Sequence, residues 1–403
     1  MHIAIFSPGW PPGKSTNGIV TYVAQIKDEF ASRGHRVSLL VGQVVDGQAT
    51  SGIHVVEPAF LTRVQRWAKA KVGFASEFVD NYAKDIAAVL ARINEAEPVD
   101  VLEMEESFGW AAEVARRTRI PTVVKLHGPA FMSLVDEELK SPSALARIAQ
   151  EGIALALARV VTSPARRTLD ETIARYCLSP PICRHIVNPL TLPRSAPLWN
   201  LDACQPKTLL FVGRFDKRKG GDIVLRAFRQ LLEAEPDLLL TFVGPDAGVV
   251  GAEGRPIHFE EMRAALFTAE MSKRILFRGK LSPTEIYALR ARAFAIIIAS
   301  RWENQGYTAL EAMLQGCPVV SSDEGGQGEL IEHGISGLLA KTGSAEDLAA
   351  KIKMLLDDPE WAASLGRRAR EYVLHTHSPA TVVTQTLAVY AEAIADARAR
   401  KAS

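Results

Sequence analysis

The sequence predicts two doubly wound α/β domains in tandem, each a parallel sheet covered by helices on both faces. Three observations carry that reading. Short, continuously apolar, β-branched runs alternate with segments of helical apolar spacing. A Pro-rich stretch without periodicity, "NPLTLPRSAPLWNLDACQPK", interrupts them. The alternation then restarts and continues toward one long terminal helix.

In the first half the strand candidates are "HIAIFS", "RVSLLVG", "GIHVVE", "DVLEME", "TVVKLH" and "RVVTSP". Between the first two, residues 19–33 place Ile19, Tyr22, Val23, Ile26 and Phe30 at helical spacing, which predicts a helix with one apolar face. After the Pro-rich stretch come "TLLFVG", "LLLTFVG", "RILFRG", "AFAIIIAS" and "PVVSSD", separated by helical patterns. From Ser378 to about Arg400 the spacing predicts one helix, capped by Ser378 with Pro379 in its first turn. The domains are therefore expected at residues 1–195, completed by a helix over 378–403, and at 205–377. No repeat of solenoid period is present.

Bulk properties narrow the function. The chain has 403 residues, too many for one ordinary core, with 47% apolar and 23% charged residues. A formal net charge of +1 gives no global field for nucleic acid, so an anionic partner must meet a local cluster. Cys177, Cys183, Cys204 and Cys317 lack metal-ligand or CxxC spacing, and read as reduced, mostly buried thiols. No run approaches the length of a membrane span, and no leader-like segment opens the chain. The expectation is a cytoplasmic protein.

In doubly wound sheets, ligands collect where strands end and helix N-termini begin. The loop "SPGWPPGKSTNGIVTYV" ends Gly13-Lys14-Ser15 like a phosphate loop. Pro8 stands where that motif needs glycine, however, and Pro11 and Pro12 lack the amides a cradle uses. Gly18 is expected to let backbone approach a ligand, the bland alternative being a cap glycine. In "LLFVGRFDKRKGGDIVLRAF", Arg214 ends a strand and Lys219 precedes the glycines that open a helix. A fork, a point charge and a helix dipole together suit a diphosphate. Asp216, Lys217 and Arg218 read as solvated.

The stretch "SRWENQGYTALEAMLQGCPVV" places Glu303 in a loop and Glu311 on the second turn of a helix starting near Gly306. Amides of Gly306, Tyr307 and Thr308 are expected to face a ligand between the two carboxylates, which suit vicinal hydroxyls of a ribose and a hexose. The alternative is ordinary helix decoration. In "SSDEGGQGELIEHGISGLL", Gly325 and Gly326 precede a helix bearing Glu329, either a phosphate contact or a plain helix start. His127 lies at a strand's carboxyl end, either structural or a ligand contact. Glu103 and Glu105 share a strand end but lack the surroundings of a metal site, and no Asp-x-Asp follows any strand.

Taken together, these residues resemble the retaining glycosyltransferases of family GT4. "SRWENQGYTALEAMLQGCPVV" follows that family's S-x-x-E-x-x-G-x-x-x-x-E-A-M-A-x-G-x-P-V pattern. "VGRFDKRKG" follows V-G-R-x-x-x-x-K-G, and "EGGQGELIEHGISGLL" follows G-G-x-x-E-L-I-x-x-G-x-x-G. The resemblance implies the GT-B fold: two Rossmann-like domains facing a central cleft, with the C-terminal helix crossing back to the N-terminal domain. It also implies residue roles. Arg214 and Lys219 would hold the diphosphate of a UDP- or GDP-linked sugar donor, and Glu311 the ribose. Glu303 would sit by the sugar hydroxyls, with Gly306, Tyr307 and Thr308 touching sugar and phosphate. Gly18 would lie against the diphosphate and His127 against the donor sugar. The implied activity is metal-independent, cofactor-free hexosyl transfer with retention, in bacterial glycan or glycolipid assembly.

Two departures concern the sugar. Glu303-Asn304-Gln305-Gly306 replaces the common Glu-Gly-Phe-Gly, which predicts a more polar wall, and Asn17-Gly18 replaces Gly-Gly. The acceptor is expected to be a glycan, a lipid-linked molecule or a small molecule. The segment 60–74, "FLTRVQRWAKAKVGF", mixes basic and apolar residues. It predicts either a solvated helix or peripheral contact with the inner face of a membrane. Two rival functions remain, a GT-B sugar-nucleotide epimerase and a non-catalytic nucleotide-sugar-binding partner.

Overall fold

The structure is a computed structural model that describes residues 1–12, 17–44, 51–59, 63–64, 81–250 and 254–402. Gly13, Lys14 and Ser15 lie outside the described residues, as does the segment 60–74 apart from 63–64. The chain divides into two compact units. One comprises Met1–Pro189 with Pro379–Ser403, the other Leu190–Ser378.

In the first unit the described strands are β1 (His2–Ser7), β2 (Arg36–Val41), β3 (Ile53–Val55), β4 (Val101–Glu105), β5 (Thr122–Lys125), β6 (Val160–Ser163) and β7 (Ile182–His185). They form a parallel sheet in the order β3-β2-β1-β4-β5-β6-β7. Strand order reverses between β1 and β4, so loops leaving those strands diverge and leave room at their carboxyl ends. Every residue of β1 and of β4 is buried, because helices cover both faces and no position meets water.

The terminal helix Pro379–Ala402 packs on this sheet. It buries Val382, Val383, Thr386, Val389, Tyr390, Ala393 and Ala397, a stripe at helical spacing. Tyr390 stacks on Phe30 at 5.8 Å and its hydroxyl donates to Glu103 Oε2 at 2.9 Å. Arg159 grips Asp396 with a two-point fork at 2.6 and 2.7 Å.

The second unit repeats the plan with β8 (Gln205–Val212), β9 (Phe215–Asp216), β10 (Leu239–Val243), β11 (Asp246–Val250), β12 (Pro256–Ile257), β13 (Ile275–Phe277), β14 (Ala293–Ile298), β15 (Val319–Ser322) and β16 (Leu338–Ala340). Its main sheet runs β13-β10-β8-β14-β15-β16, with the reversal between β8 and β14. Leu209 and Phe211 point into one core with Phe228 and Phe242, whereas Leu210 enters another with Met313 and Val319. That alternation of apolar residues into two cores is why β8 reads as unbroken apolar sequence.

The stretch from Leu190 to Cys204 packs within this second unit. Leu190 N donates to His377 O at 2.8 Å, and Trp199 Nε1 donates to Ala293 O at 2.7 Å. Of the cysteines only Cys317 is buried; Cys177 is exposed and the other two are half-buried, which corrects the expectation of mostly buried thiols. Among the described residues no helix is long and apolar enough to cross a membrane.

Candidate functional site

The second unit gathers its charged residues where its strand order reverses. The loop after β8 carries Arg214, Lys217, Arg218 and Lys219, and the loop after β14 carries Arg301 and Glu303. Backbone bonds join them: Arg301 N donates to Arg218 O at 2.8 Å. Arg301 also forks onto Asp222 at 2.9 and 2.7 Å and reaches Lys217 O. Glycine makes the approach possible. Gly220, at φ +71°, caps the helix Gly221–Ala234, and a Cβ there would collide with the Ala299 carbonyl.

Lys219 Nζ pairs with Glu303 Oε1, and Arg218 Nη1 lies 3.6 Å from the same oxygen. Burial pushes the Glu303 carboxyl up, but Lys219 and Arg218 more than offset it, so its pKa falls below the ordinary range. Arg214 Nη2 pairs with Asp216 at 2.7 Å, and Asp216 Oδ1 accepts from Lys219 N at 2.6 Å. Asp216 and Arg218 are therefore working parts of the loop, contrary to the expectation of solvated charges. A run such as "DKRKG" shows charge but not which side chains the turn folds inward.

Glu303 also meets the loop after β15. Gly326 N donates to Glu303 O at 2.8 Å, and Gly325 at φ +64° leaves no room there for a Cβ. The helix Tyr307–Gln315 starts at the N-cap Gly306, and Glu311 falls on its second turn. Glu311 is not free: its Oε2 pairs with Arg290 Nη2 from the helix Pro283–Arg292. Arg290 is 1% exposed. Nothing in "EIYALRARAF" sets Arg290 apart from Arg292, so the sequence does not single it out. The Tyr307 hydroxyl is buried without a partner among the described residues, and burial with the nearby Glu311 pushes its pKa well above normal. Thr308 is half-buried beside it. Gln305, expected in a polar wall, is instead buried and shares a 3.2 Å hydrogen bond with His377; Asn304 is also buried.

In the first unit, the loops leaving β1 and β5 hold the expected residues. Gly18 opens the helix Gly18–Ser32, and Asn17 is its cap, accepting from Ile19 N at 2.9 Å. His127 follows β5, with its ring 5.2 Å from that of Tyr22. Burial and neighbouring Lys125 push its pKa well below normal, so the imidazole is neutral. Its loop is held from beneath by two buried carboxylates. Glu106 accepts from His127 N at 2.8 Å and Gly128 N at 2.7 Å, while Glu151 accepts from Ala130 N at 2.8 Å.

Burial, with Glu106 adding to it, lifts the Glu105 carboxyl to about 8. Burial and Glu151 lift Glu106 to about 7. Buried Lys125 falls to about 8 despite Glu103, and lies 4.6 Å from the centre of the Tyr22 ring. Glu103 itself is 3% exposed and bonded to Tyr390. "LEMEE" announced acids at a strand end. The use of Glu106 as a support for the His127 loop, together with the long-range partner Glu151, is something sequence spacing does not reveal. Among the described residues no group of three His, Cys, Asp or Glu side chains is placed to hold a metal ion.

Comparison with known proteins adds to this geometry. The profile described as "Glycosyl transferases group 1" matches residues 201–372, and "Glycosyl transferase 4-like domain" matches 17–189. A D-inositol 3-phosphate glycosyltransferase of Corynebacterium aurimucosum is 33% identical over 200 residues, covering 49% of this chain and 46% of that protein. The matched region thus spans just under half the length of that relative. The sucrose-phosphate synthase of Thermosynechococcus elongatus superposes with a TM-score of 0.73 at 20% identity, covering 98% of this chain and 99% of that one. The Anabaena protein HepE in complex with UDP-glucose superposes with a TM-score of 0.68 at 20% identity, covering 98% and 100%. At such identities the superpositions establish the fold, and it is GT-B.

Proposed function

We propose that this chain, which belongs to the GT4 family of glycosyltransferases, moves a hexose from a UDP- or GDP-linked donor to an acceptor hydroxyl with retention. We take the transfer to need no metal. The observation that carries the reading is the cluster at the strand-order reversal of the second unit, where Arg218 and Lys219 meet Glu303 and Arg214 pairs with Asp216 of the same loop. The likeness to a protein bound to UDP-glucose supports a uridine donor first. The likeness to a D-inositol 3-phosphate glycosyltransferase supports a polar hydroxylated acceptor.

In this mechanism the bond between the anomeric carbon and the diphosphate oxygen breaks, and its electron pair stays on the phosphate. Arg214, Arg218 and Lys219 stabilise that growing charge, each well-placed donor contributing on the order of 3 kcal/mol. The acceptor oxygen attacks the same face of the oxocarbenium-like sugar and its proton passes to the departing phosphate. Glu303, held ionised by Lys219 and Arg218, accepts hydrogen bonds from sugar hydroxyls. Glu311 takes the ribose, and the amides of Gly306, Tyr307 and Thr308 take sugar and phosphate oxygens. For the first unit the reading assigns neutral His127 a hydrogen bond to the donor sugar and Gly18 a backbone contact with the diphosphate.

The test is a donor screen with the purified protein. UDP-, GDP- and ADP-sugars are compared for thermal stabilisation and slow hydrolysis, and the anomeric configuration of the product is then read by NMR. One donor class should stabilise the protein and yield a product with the donor's anomeric configuration. Rearrangement of the donor without acceptor would instead identify an epimerase, and binding without turnover a non-catalytic binder. Stabilisation by no nucleotide sugar sinks the proposal.

A further inference from the structure

We infer that Arg290 is a positioning residue that sets the carboxylate of Glu311 for the nucleotide ribose, and thereby makes the site discriminate ribose from deoxyribose. The inference rests on the assignment of Glu311 to the ribose made above. Its ground is an imbalance within the pair. Arg290 is 1% exposed, yet among the described residues only Nη2 of its guanidinium has a partner, the Oε2 of Glu311. Nε and Nη1 are buried with no hydrogen bond among the described residues. The ring of Tyr287, 5.8 Å from the guanidinium carbon, supplies one side of its surroundings.

A buried guanidinium with two unsatisfied nitrogens is a poor stabilising device. Desolvating a charge offsets most of what its ion pair returns, and apolar residues of similar volume often serve stability better. The pair does have a clear geometric effect. Glutamate has several free torsions, and ordering them for a ligand opposes binding. Anchoring Oε2 on a buried cation removes that freedom before the ligand arrives. Glu311 keeps 21% of its side chain exposed, so the anchored carboxylate is not sealed from solvent. The anchor comes from a different helix, Pro283–Arg292, and does not move with the turn that bears Glu311.

The experiment compares binding of UDP, 2′-deoxy-UDP and UMP to wild type, Arg290→Gln and Arg290→Lys by calorimetry; the guanosine set is used if the donor screen selects GDP. Wild type should bind the ribonucleotide about tenfold or more tighter than its 2′-deoxy form, the effect of one charge-assisted hydrogen bond. In Arg290→Gln that preference should shrink to about twofold, while the UDP-to-UMP ratio, which reports the diphosphate, stays unchanged. Arg290→Lys keeps a cation but on a more mobile stem and should fall between; it decides the matter if Arg290→Gln does not melt cooperatively. A merely structural arginine would lower both ratios or neither. Full retention of the ribose preference in the folded variants overturns the role of Arg290 alone. Absence of any preference in wild type removes the ribose assignment of Glu311, and the role of Arg290 with it.

Discussion

Lys219 and Glu303, 84 positions apart in sequence, are joined as an ion pair at the carboxyl ends of β8 and β14. The pair belongs to the tertiary structure, because neither strand places its own loop residue without the other. Arg218 lies 3.6 Å from the same carboxylate, so Glu303 sits between two cations and stays ionised.

Lys219→Ala should therefore lose on the order of 100- to 1000-fold in kcat, the scale for one donor removed from a developing anion. Transferase or donor-hydrolysis assays at saturating donor check this. Turnover within twofold of wild type would remove Lys219 from the reaction.

Glu311→Ala should destabilise the second unit, because it leaves the Arg290 cation buried without a counter-charge. The expected loss is about 3 kcal/mol, the lower end for a broken buried pair, since Glu311 keeps part of its side chain in water. Urea unfolding followed by tryptophan fluorescence measures it. An unchanged midpoint would mean that Arg290 finds another partner.

Two buried carboxyls should lower stability as pH rises from 6.5 to 8. Glu105 and Glu106, raised to about 8 and 7, hold protons in the folded state that an unfolded glutamate has already lost. The lowered histidines His2, His35, His54 and His127 act in the opposite sense up to about one unit above their ordinary value of 6.5, because an unfolded histidine keeps part of its proton there. Lys125, lowered to about 8, also acts in the opposite sense from about pH 7 upward. The share of the two carboxyls should reach about 2 kcal/mol and is read as the difference in slope between wild type and Glu105→Gln, which should lose most of it, by thermal or urea unfolding across that window. A slope unchanged by Glu105→Gln would place that carboxyl among ordinary glutamates.

Tyr390→Phe should weaken the docking of the terminal helix by about 1–3 kcal/mol, the effect of leaving a buried acceptor short of a donor. Because Phe keeps the stacking on Phe30, the change isolates the hydroxyl. Hydrogen exchange of residues 379–402 reads it directly. Unaltered protection would show that packing alone holds the helix.

Much of the fold was legible in the sequence because both sheets are covered on both faces. That burial requires runs such as "AFAIIIAS" and "HIAIFS", and their spacing requires helical crossovers between them. β7 and β16 were not legible: β7 breaks its apolar run with Arg184 and His185, and β16 follows directly on the glycines of "HGISG", which read as a turn. In the candidate site, Glu303, Glu311, Arg214 and Lys219 stood out because loop glycines flank them. Arg218, Arg290, Glu106 and Glu151 did not, because nothing local distinguishes them from solvated charges.

The sequence by itself determined which residues end strands and open helices, since apolar periodicity and glycine placement are local properties of the chain. It thereby determined where an anion could be met. The tertiary structure alone decided the partners: Glu303 with Lys219 and Arg218, Glu311 with Arg290, Glu106 with the His127 loop. The physical reason is desolvation. A charge in a sequence is only a charge, and whether it must be paired depends on how much water the packed strands and helices leave around it.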